Sequence, residues 1–290
     1  MSPLGTASVA RQAAVLGSPI AHSLSPALHA AAYKVLGLRW RYSAIECDEA
    51  QLRGVLMALD ESFVGLSLTM PLKRAVLPLL DDVSELAVAI GAANTVVFDG
   101  FGPFLRRRGE NTDAPGLVAA IAAQRPEGVR KAVILGAGGT AAAGLAALRE
   151  LGVDRSVVVV RDPARAGELL ACAARLGVTP TLVDWPGDSA LGQADLIIST
   201  VPAGATDELA TRSPVGRGQL LFDVLYDPWP TPFAVASLAA GAQVIGGLEL
   251  LVQQAARQVE LWTGRPSVVE TVAAMRAAGD AAIASRSRGS

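Results

Sequence analysis

Cysteine and histidine are scarce in this 290-residue chain, which holds two of each. Cys47 and Cys172 form no CxxC pair and are too few for a disulfide framework, so both are expected as small buried or half-buried thiols in a reducing cytoplasm. His22 and His29 build no HExxH or Cys/His cluster, so no metal site is expected, and His22 reads as structural. Lysine is nearly absent too: Lys34, Lys73 and Lys131 stand among 25 basic residues. Each lysine gains interest, because lysine can release its proton and arginine effectively cannot. A net charge of −2 excludes the strongly basic face of a nucleic-acid binder. Aromatic residues make up 4% of the chain, and Trp40, Trp185, Trp229 and Trp262 read as packing. No positive charge precedes Arg11, so the first residues do not read as a signal peptide. The long uncharged run 228–248 is broken by Pro228, Pro230 and Pro232 and by Gly241, Gly246 and Gly247. It reads as loop, helix and strand, and no membrane association is expected. A cytoplasmic protein is expected.

What is present is apolar sequence, 51% of the chain, enough for substantial cores over a length that suits two domains. Short β-branched runs alternate with helix-like segments, the pattern of parallel α/β sheets. Strands are predicted at 13–16, 42–45, 64–68 and 95–98. Helices are predicted from Ser25, read as an N-cap before Pro26, and from about Pro71. A helix over 114–123 precedes a second series of strands at 132–135, 157–160, 196–199, 220–224 and 243–245. A last helix, about 249–262, lies outside the repeating pattern and is expected to return to the first domain. Residues 285–290 read as a disordered tail.

Gly136, Gly138 and Ala141 match G-x-G-x-x-G/A between a predicted strand and a predicted helix. The first glycine permits the tight turn, the second lets the backbone approach a pyrophosphate, and the small third residue lets the helix pack closely. The segment Gly136, Ala137, Gly138, Gly139, Thr140, Ala141 is therefore the candidate dinucleotide turn, with the helix N-terminus toward the phosphates. After the next strand stands Arg161, with Arg165 four residues on. An Asp or Glu there would hold a ribose 2′-hydroxyl, whereas a guanidinium pairs with a 2′-phosphate. NADP is the expected cofactor, with Asp162 keeping NAD open.

The first half carries polar clusters at predicted strand ends, 19–26, 67–73, 91–95 and 110–113. Their hydroxyls, amides and few ionisable groups suit a small polyhydroxylated acid. Taken singly, each has a plain structural role: Ser25 and Asp113 cap helices, Thr69 and Pro71 start one, Asn94 closes a turn, and Tyr226 packs a loop.

Seven motifs stand in one order: G-S-P-I-A-H-S-L-S-P (17–26), T-M-P-L-K (69–73), G-A-A-N-T (91–95), N-T-D (111–113), G-A-G-G-T-A (136–141), D-V-L-Y-D-P (223–228) and G-L-E-L-L-V-Q-Q-A (247–255). The ordered set resembles the shikimate dehydrogenase family over nearly the whole chain. The resemblance implies two α/β domains with a cleft between them. The first, 1–112 plus 248–290, is expected to bind substrate. The second, 113–247, is expected to be a Rossmann-type NADP domain. It implies reversible NADPH-dependent reduction of 3-dehydroshikimate to shikimate, on the way to chorismate and aromatic amino acids. It implies Lys73 and Asp113 as the catalytic pair, and Ser23 and Ser25 as carboxylate ligands helped by Thr69 and Tyr226. Asn94, Gln254 and Ser67 are implied at the ring hydroxyls, although the family commonly has Asn where Ser67 stands. Arg161 and Arg165 match the cofactor-specificity loop, which commonly reads Asn-Arg-Thr and here reads Val-Arg-Asp. Thr200, Val201, Val224 and Gly247 complete the implied cofactor set. The expected partner is a small molecule, and the chain is expected as a monomer or homodimer. An NAD-linked quinate/shikimate dehydrogenase, a relative acting on an amino-substituted ring, and a non-catalytic dinucleotide sensor remain open alternatives.

Overall fold

The structure is a computed structural model and describes residues 11–286 apart from 101, 154, 213 and 214. Among these residues the strands form two six-stranded sheets. The first contains β1 (Gln12–Gly17), β2 (Arg41–Glu46), β3 (Phe63–Leu68), β4 (Asp82–Val83), β5 (Thr95–Asp99) and β6 (Arg106–Glu110), in the order β2-β1-β3-β5-β6-β4. Around it run α1 (Ser25–Val35), α2 (Glu49–Ala58), α3 (Leu72–Ala75) and α4 (Glu85–Ile90).

This sheet is mixed, which corrects the expectation of parallel strands throughout. β1 pairs β2 and β3 in parallel, but β5 pairs both β3 and β6 antiparallel. The link from β5 to β6 is too short for a crossover, so the chain must double back. β6 was not anticipated, because Arg106, Arg107 and Arg108 carry no apolar alternation. The strand holds them by charge pairing: Arg106 reaches Asp82 at 2.8 Å, and Arg108 reaches Asp99 at 3.2 Å and also contacts Glu110.

α5 (Asp113–Gln124) leads into the second sheet, β7 (Lys131–Leu135), β8 (Arg155–Val160), β9 (Thr181–Asp184), β10 (Leu196–Ser199), β11 (Leu220–Asp223) and β12 (Gln243–Ile245). All its pairings are parallel, in the order β9-β8-β7-β10-β11-β12. The direction of winding reverses between β7 and β10, the point at which doubly wound sheets bind ligands. Helices α6 (Gly139–Glu150), α7 (Gly167–Leu176), α8 (Asp188–Leu191), α9 (Asp207–Arg212) and α10 (Pro232–Ala239) cover it. Alternate strand residues serve opposite faces. Ile134, Val158, Ile198 and Phe222 meet α5 and α6, whereas Val133, Val159, Ile197 and Leu221 meet Phe233 and Leu209. Burial on both faces explains the unbroken apolar strands.

α11 (Gly247–Thr263) starts at the end of β12 and packs against β3 and β5 of the first sheet. Its Val252, Ala255 and Val259 pack with Leu24, Leu28 and Tyr33. Trp262 closes over Ala13, Val64 and Val97 and donates its indole N–H to the Val96 carbonyl at 3.1 Å. α12 (Val269–Arg286) packs on α1 and α11. It takes in Ser285 and Arg286, correcting the expected tail, of which 287–290 lie outside the described residues. No helix among the described residues is long and apolar enough to cross a membrane. Cys47 and Cys172 are buried free thiols.

Two caps also differ from expectation. Ser25 is the first residue of α1, and its N-cap is Leu24, without a side-chain bond. Asp113 likewise opens α5. The side chain that takes the helix-start N–H groups is Asn111, whose Oδ1 accepts from Asp113 N at 3.1 Å and Ala114 N at 3.2 Å.

His29, on α1, is fully buried, stacked on Tyr42 with ring centroids 3.9 Å apart, and its Nδ1 faces the Ser25 carbonyl at 2.9 Å. Burial pulls its pKa from 6.5 to about 4. A folded-state pKa below the unfolded one means stability is complete above pH 6.5 and is lost as pH falls through about 4. The loss approaches about 3 kcal/mol. Urea denaturation from pH 7 to 4 should show this slope, and His29→Gln should flatten it. Equal slopes in the two proteins would refute the assignment.

Candidate active site

A cavity of about 170 Å³ lies at the ends of β1 and β3. Ser23, Ser25, Ser67, Thr69, Lys73, Asn94, Asp113, Tyr226 and Gln254 all line it, so residues up to 231 positions apart in sequence meet there. His22, read as structural, also reaches its wall.

A carboxylate clamp and backbone hydrogen bonds set this geometry. The loop after β1 is clamped by Glu46, which accepts from Ser18 Oγ at 2.6 Å and Ile20 N at 2.9 Å, and so holds the serine segment in place. Leu68 N donates to Asn94 O at 2.7 Å, and Ala93 N donates to Lys73 O at 2.8 Å. The lysine and asparagine segments are thereby tied together.

Lys73 Nζ stands 2.5 Å from Asp113 Oδ2, and Asn94 Nδ2 donates to Asp113 Oδ1 at 2.8 Å. Both side chains line the cavity, that of Lys73 24% exposed and that of Asp113 9%, so the amine is the more open of the pair. Such a pair can hold a proton donor against a substrate oxygen and compensate its charge. Tyr226 enters from the loop after β11. Asp223 anchors that loop by accepting from Leu225 N at 3.2 Å and Thr231 Oγ1 at 2.7 Å. Burial pushes the Asp223 carboxyl above, and holds the Tyr226 hydroxyl above, their usual pKa ranges.

A second cavity, about 570 Å³, lies over the ends of β7, β8 and β10. Gly136, Ala137, Gly138, Arg161, Arg165, Thr200 and Val201 line it, and Met70 reaches it from beside β3. Gly136 has φ +103°, and a Cβ there would lie 2.8 Å from Thr200 Oγ1. Thr200 Oγ1 itself donates to the Leu135 carbonyl at 2.7 Å. Gly138 is the N-cap of α6, while Gly139, Thr140 and Ala141 form its first turn, with Ala141 buried in the core. The turn thus presents bare backbone to a cavity at a helix N-terminus, a cradle for phosphate. Arg161 and Arg165 stand exposed at the rim, and Asp162 spends Oδ1 on Ala164 N at 3.0 Å. Val224 and Gly247 line neither cavity. Gly247 N donates to Leu225 O at 2.9 Å, and any Cβ on Gly247 would overlap the Val224 carbonyl.

A family model for the shikimate dehydrogenase substrate binding domain matches residues 15–96, and one for the shikimate 5'-dehydrogenase C-terminal domain matches 247–278. Shikimate dehydrogenase (NADP(+)) of Desulfitobacterium hafniense is 34% identical over 263 residues, spanning 89% of this chain and 94% of that protein. The chain belongs to the shikimate dehydrogenase family. Solved members of the family share the fold. The shikimate 5-dehydrogenase of Mycobacterium fortuitum is 43% identical with a TM-score of 0.81, covering 93% of this chain and 97% of that one. That of Thermus thermophilus, solved with NADP(H) and shikimate, is 37% identical with a TM-score of 0.81, covering 94% and 99%.

Two side chains at the site of this family member went unremarked in its sequence. Tyr42 and Gln258 both bond Ser67 from behind, at 2.7 and 2.8 Å. Gln258 had a signal, since it lies four residues after Gln254 on one helix face. Tyr42 had none outside its strand.

The glycine turn is testable by contrast. Gly136→Ala, with positive φ and the Thr200 contact, should lose about 1–3 kcal/mol of stability. Gly139→Ala meets nothing within 4 Å and should stay within about 0.5 kcal/mol of wild type. Denaturant midpoints with the ranking reversed would contradict the cradle geometry.

Proposed function

We propose that this chain is an NADP-dependent shikimate dehydrogenase that interconverts 3-dehydroshikimate and shikimate. The observation that carries the reading is the Lys73–Asp113–Asn94 cluster, set in a polar cavity beside the glycine-turn cavity. Curated relatives bear the same activity in their names. Residues 1–112 with 248–290 make the substrate half, and 113–247 make the nucleotide half. All the proposed site residues come from one chain, so a monomer or a homodimer suffices, and the cytoplasm is the proposed location.

The residues suit NADP. The bare turn at 136–138 accommodates a pyrophosphate, two guanidiniums at the rim suit a 2′-phosphate, and the Asp162 carboxylate is engaged with its own backbone. Bound there, NADP supplies or accepts the hydride. Ser23 and Ser25, with Thr69 and Tyr226, take the substrate carboxylate through hydroxyl hydrogen bonds. Asn94, Gln254 and Ser67 take ring hydroxyls. Lys73 Nζ holds the proton at the C3 oxygen, giving it to the ketone in reduction and receiving it in oxidation. Asp113 orients the amine and balances its charge, and Asn94 holds Asp113.

Two kinetic experiments test the assignment. Lys73→Met should lower kcat by a factor on the order of 10²–10⁴ while shikimate still binds, and Asp113→Asn should lower it too. Near-wild-type turnover by Lys73→Met would exclude Lys73 as proton carrier. For the cofactor, wild type should prefer NADP⁺ over NAD⁺ at least about tenfold, a ratio worth only ~1.4 kcal/mol. The double variant Arg161→Ala, Arg165→Ala should erase most of that preference. Steady-state assays with shikimate and quinate, each with both cofactors, decide it, and equal use of NAD⁺ by wild type would refute it.

A further inference from the structure

Gln258 is completely buried on α11, one turn beyond Gln254. A primary amide is costly to bury unless its groups are bonded, and here the proton directions around it are set from backbone groups that can only donate or only accept, with His29 beside it as well. Thr112 N can only donate, and it lies 2.8 Å from one amide atom of Asn94, which is therefore the oxygen. Asn94 thus turns its NH₂ toward Asp113. On Gln254, Nε2 faces the Leu251 carbonyl at 3.2 Å, which can only accept, so Oε1 points to Gln258. Gln258 must then donate with Nε2, to Gln254 Oε1 at 3.0 Å and Thr95 Oγ1 at 2.9 Å. Its oxygen is left facing Ser67 at 2.8 Å, and the single hydroxyl proton of Ser67 goes there. Tyr42 OH, 2.7 Å from Ser67 Oγ, donates to it. The Tyr42 ring is held by its stack on His29. One lone pair of Ser67 remains for the cavity.

We propose that Gln258, backed by Tyr42, is a positioning residue of this site: it takes the Ser67 proton and so presents Ser67 to substrate as a hydrogen-bond acceptor only. The inference rests on the shikimate dehydrogenase reading above. Its consequence is orientation. An alcohol can donate to Ser67, but a ketone there would set two acceptors against each other. The ring therefore seats with a permanent hydroxyl on Ser67 and with its ketone carbon toward the donor Lys73. Gln258 also bonds Gln254, so one side chain sets two of the proposed ring contacts.

The test uses the full chain and steady-state oxidation of shikimate, and of its 4-deoxy and 5-deoxy analogues, with NADP⁺. Gln258→Met should raise KM for shikimate about three- to tenfold, the worth of one hydrogen bond, with kcat within about twofold and KM for NADP⁺ unchanged. The kcat/KM penalty for the deoxy analogue lacking the hydroxyl that faces Ser67 should shrink by a similar factor. Adding Gln258→Met to Ser67→Ala should cost less than Gln258→Met costs in the wild type, because the part of its effect that runs through Ser67 is already lost and only the part through Gln254 remains. Gln258→Leu, read in the same way, serves if the methionine variant does not fold. Wild-type-like KM and analogue ratios in a folded Gln258 variant, or full additivity with Ser67→Ala, would overturn the proposal. Failure of the underlying reading shows separately, as wild-type protein that does not oxidise shikimate, and would take this inference with it.

Discussion

The carboxamide of Asn94 is the joint of the site. Its oxygen accepts from Thr112 N at 2.8 Å, from Thr112 Oγ1 at 3.1 Å and from Thr95 Oγ1 at 3.0 Å, while its nitrogen reaches Asp113 and Gln254. The residue is 1% exposed, so these bonds are shielded from bulk water on all but the cavity side. Asp113 is held on one oxygen by Asn94 and offers the other to Lys73. Without the amide, Asp113 would lose its fixed direction, and with it the ammonium. The first sheet matters here chiefly as the support that delivers Asn94, at the start of β5, to the first turn of α5.

Much of this was legible in the sequence because short-range patterns carry it. Short apolar runs mark the strands, a glycine-spaced turn marks the proposed nucleotide cradle, and polar clusters at strand ends mark much of the polar cavity; the nine side chains that line it, Tyr226 and Gln254 among them, were named by the family resemblance. What was not legible depends on groups outside the segment's own pattern, some near in sequence and some far. β6 is a strand through its pairing with β5 and β4, where Asp99 and Asp82 stand beside Arg108 and Arg106. Ser25 looks like a cap, but Leu24 takes that position and leaves Ser25 facing the cavity. Ser67 read as a shortened substitute for asparagine. Its environment from Tyr42 and Gln258, the latter 191 residues away, gives it a defined hydrogen-bonding sense that its own segment does not encode.

The two cavities divide their chemistry along the same lines. The proposed nucleotide side would use bare backbone of one turn and exposed cations, with Thr200 and Val201 closing on the turn from the end of β10. The proposed substrate side would use side chains fixed by one another, and they come from the loops after β1, β3 and β11, from β3, from the residue before β5 and from α1, α3, α5 and the returning α11. The first is assembled by the second sheet, apart from Met70, and the second needs segments from both sheets and α11.

That return has a price in the order of assembly. Trp262, which seals one face of the first sheet, bonds a carbonyl 166 residues earlier in the chain. During synthesis at about 5–20 residues per second, the strands β1 to β6 wait on the order of ten to thirty seconds before α11 leaves the ribosome. Until then Val64, Val97 and the apolar side of α1 face solvent, while the second sheet can already close behind them. The amino-terminal half is made first and finished last, so chaperone contacts with the nascent chain should concentrate on its uncovered face.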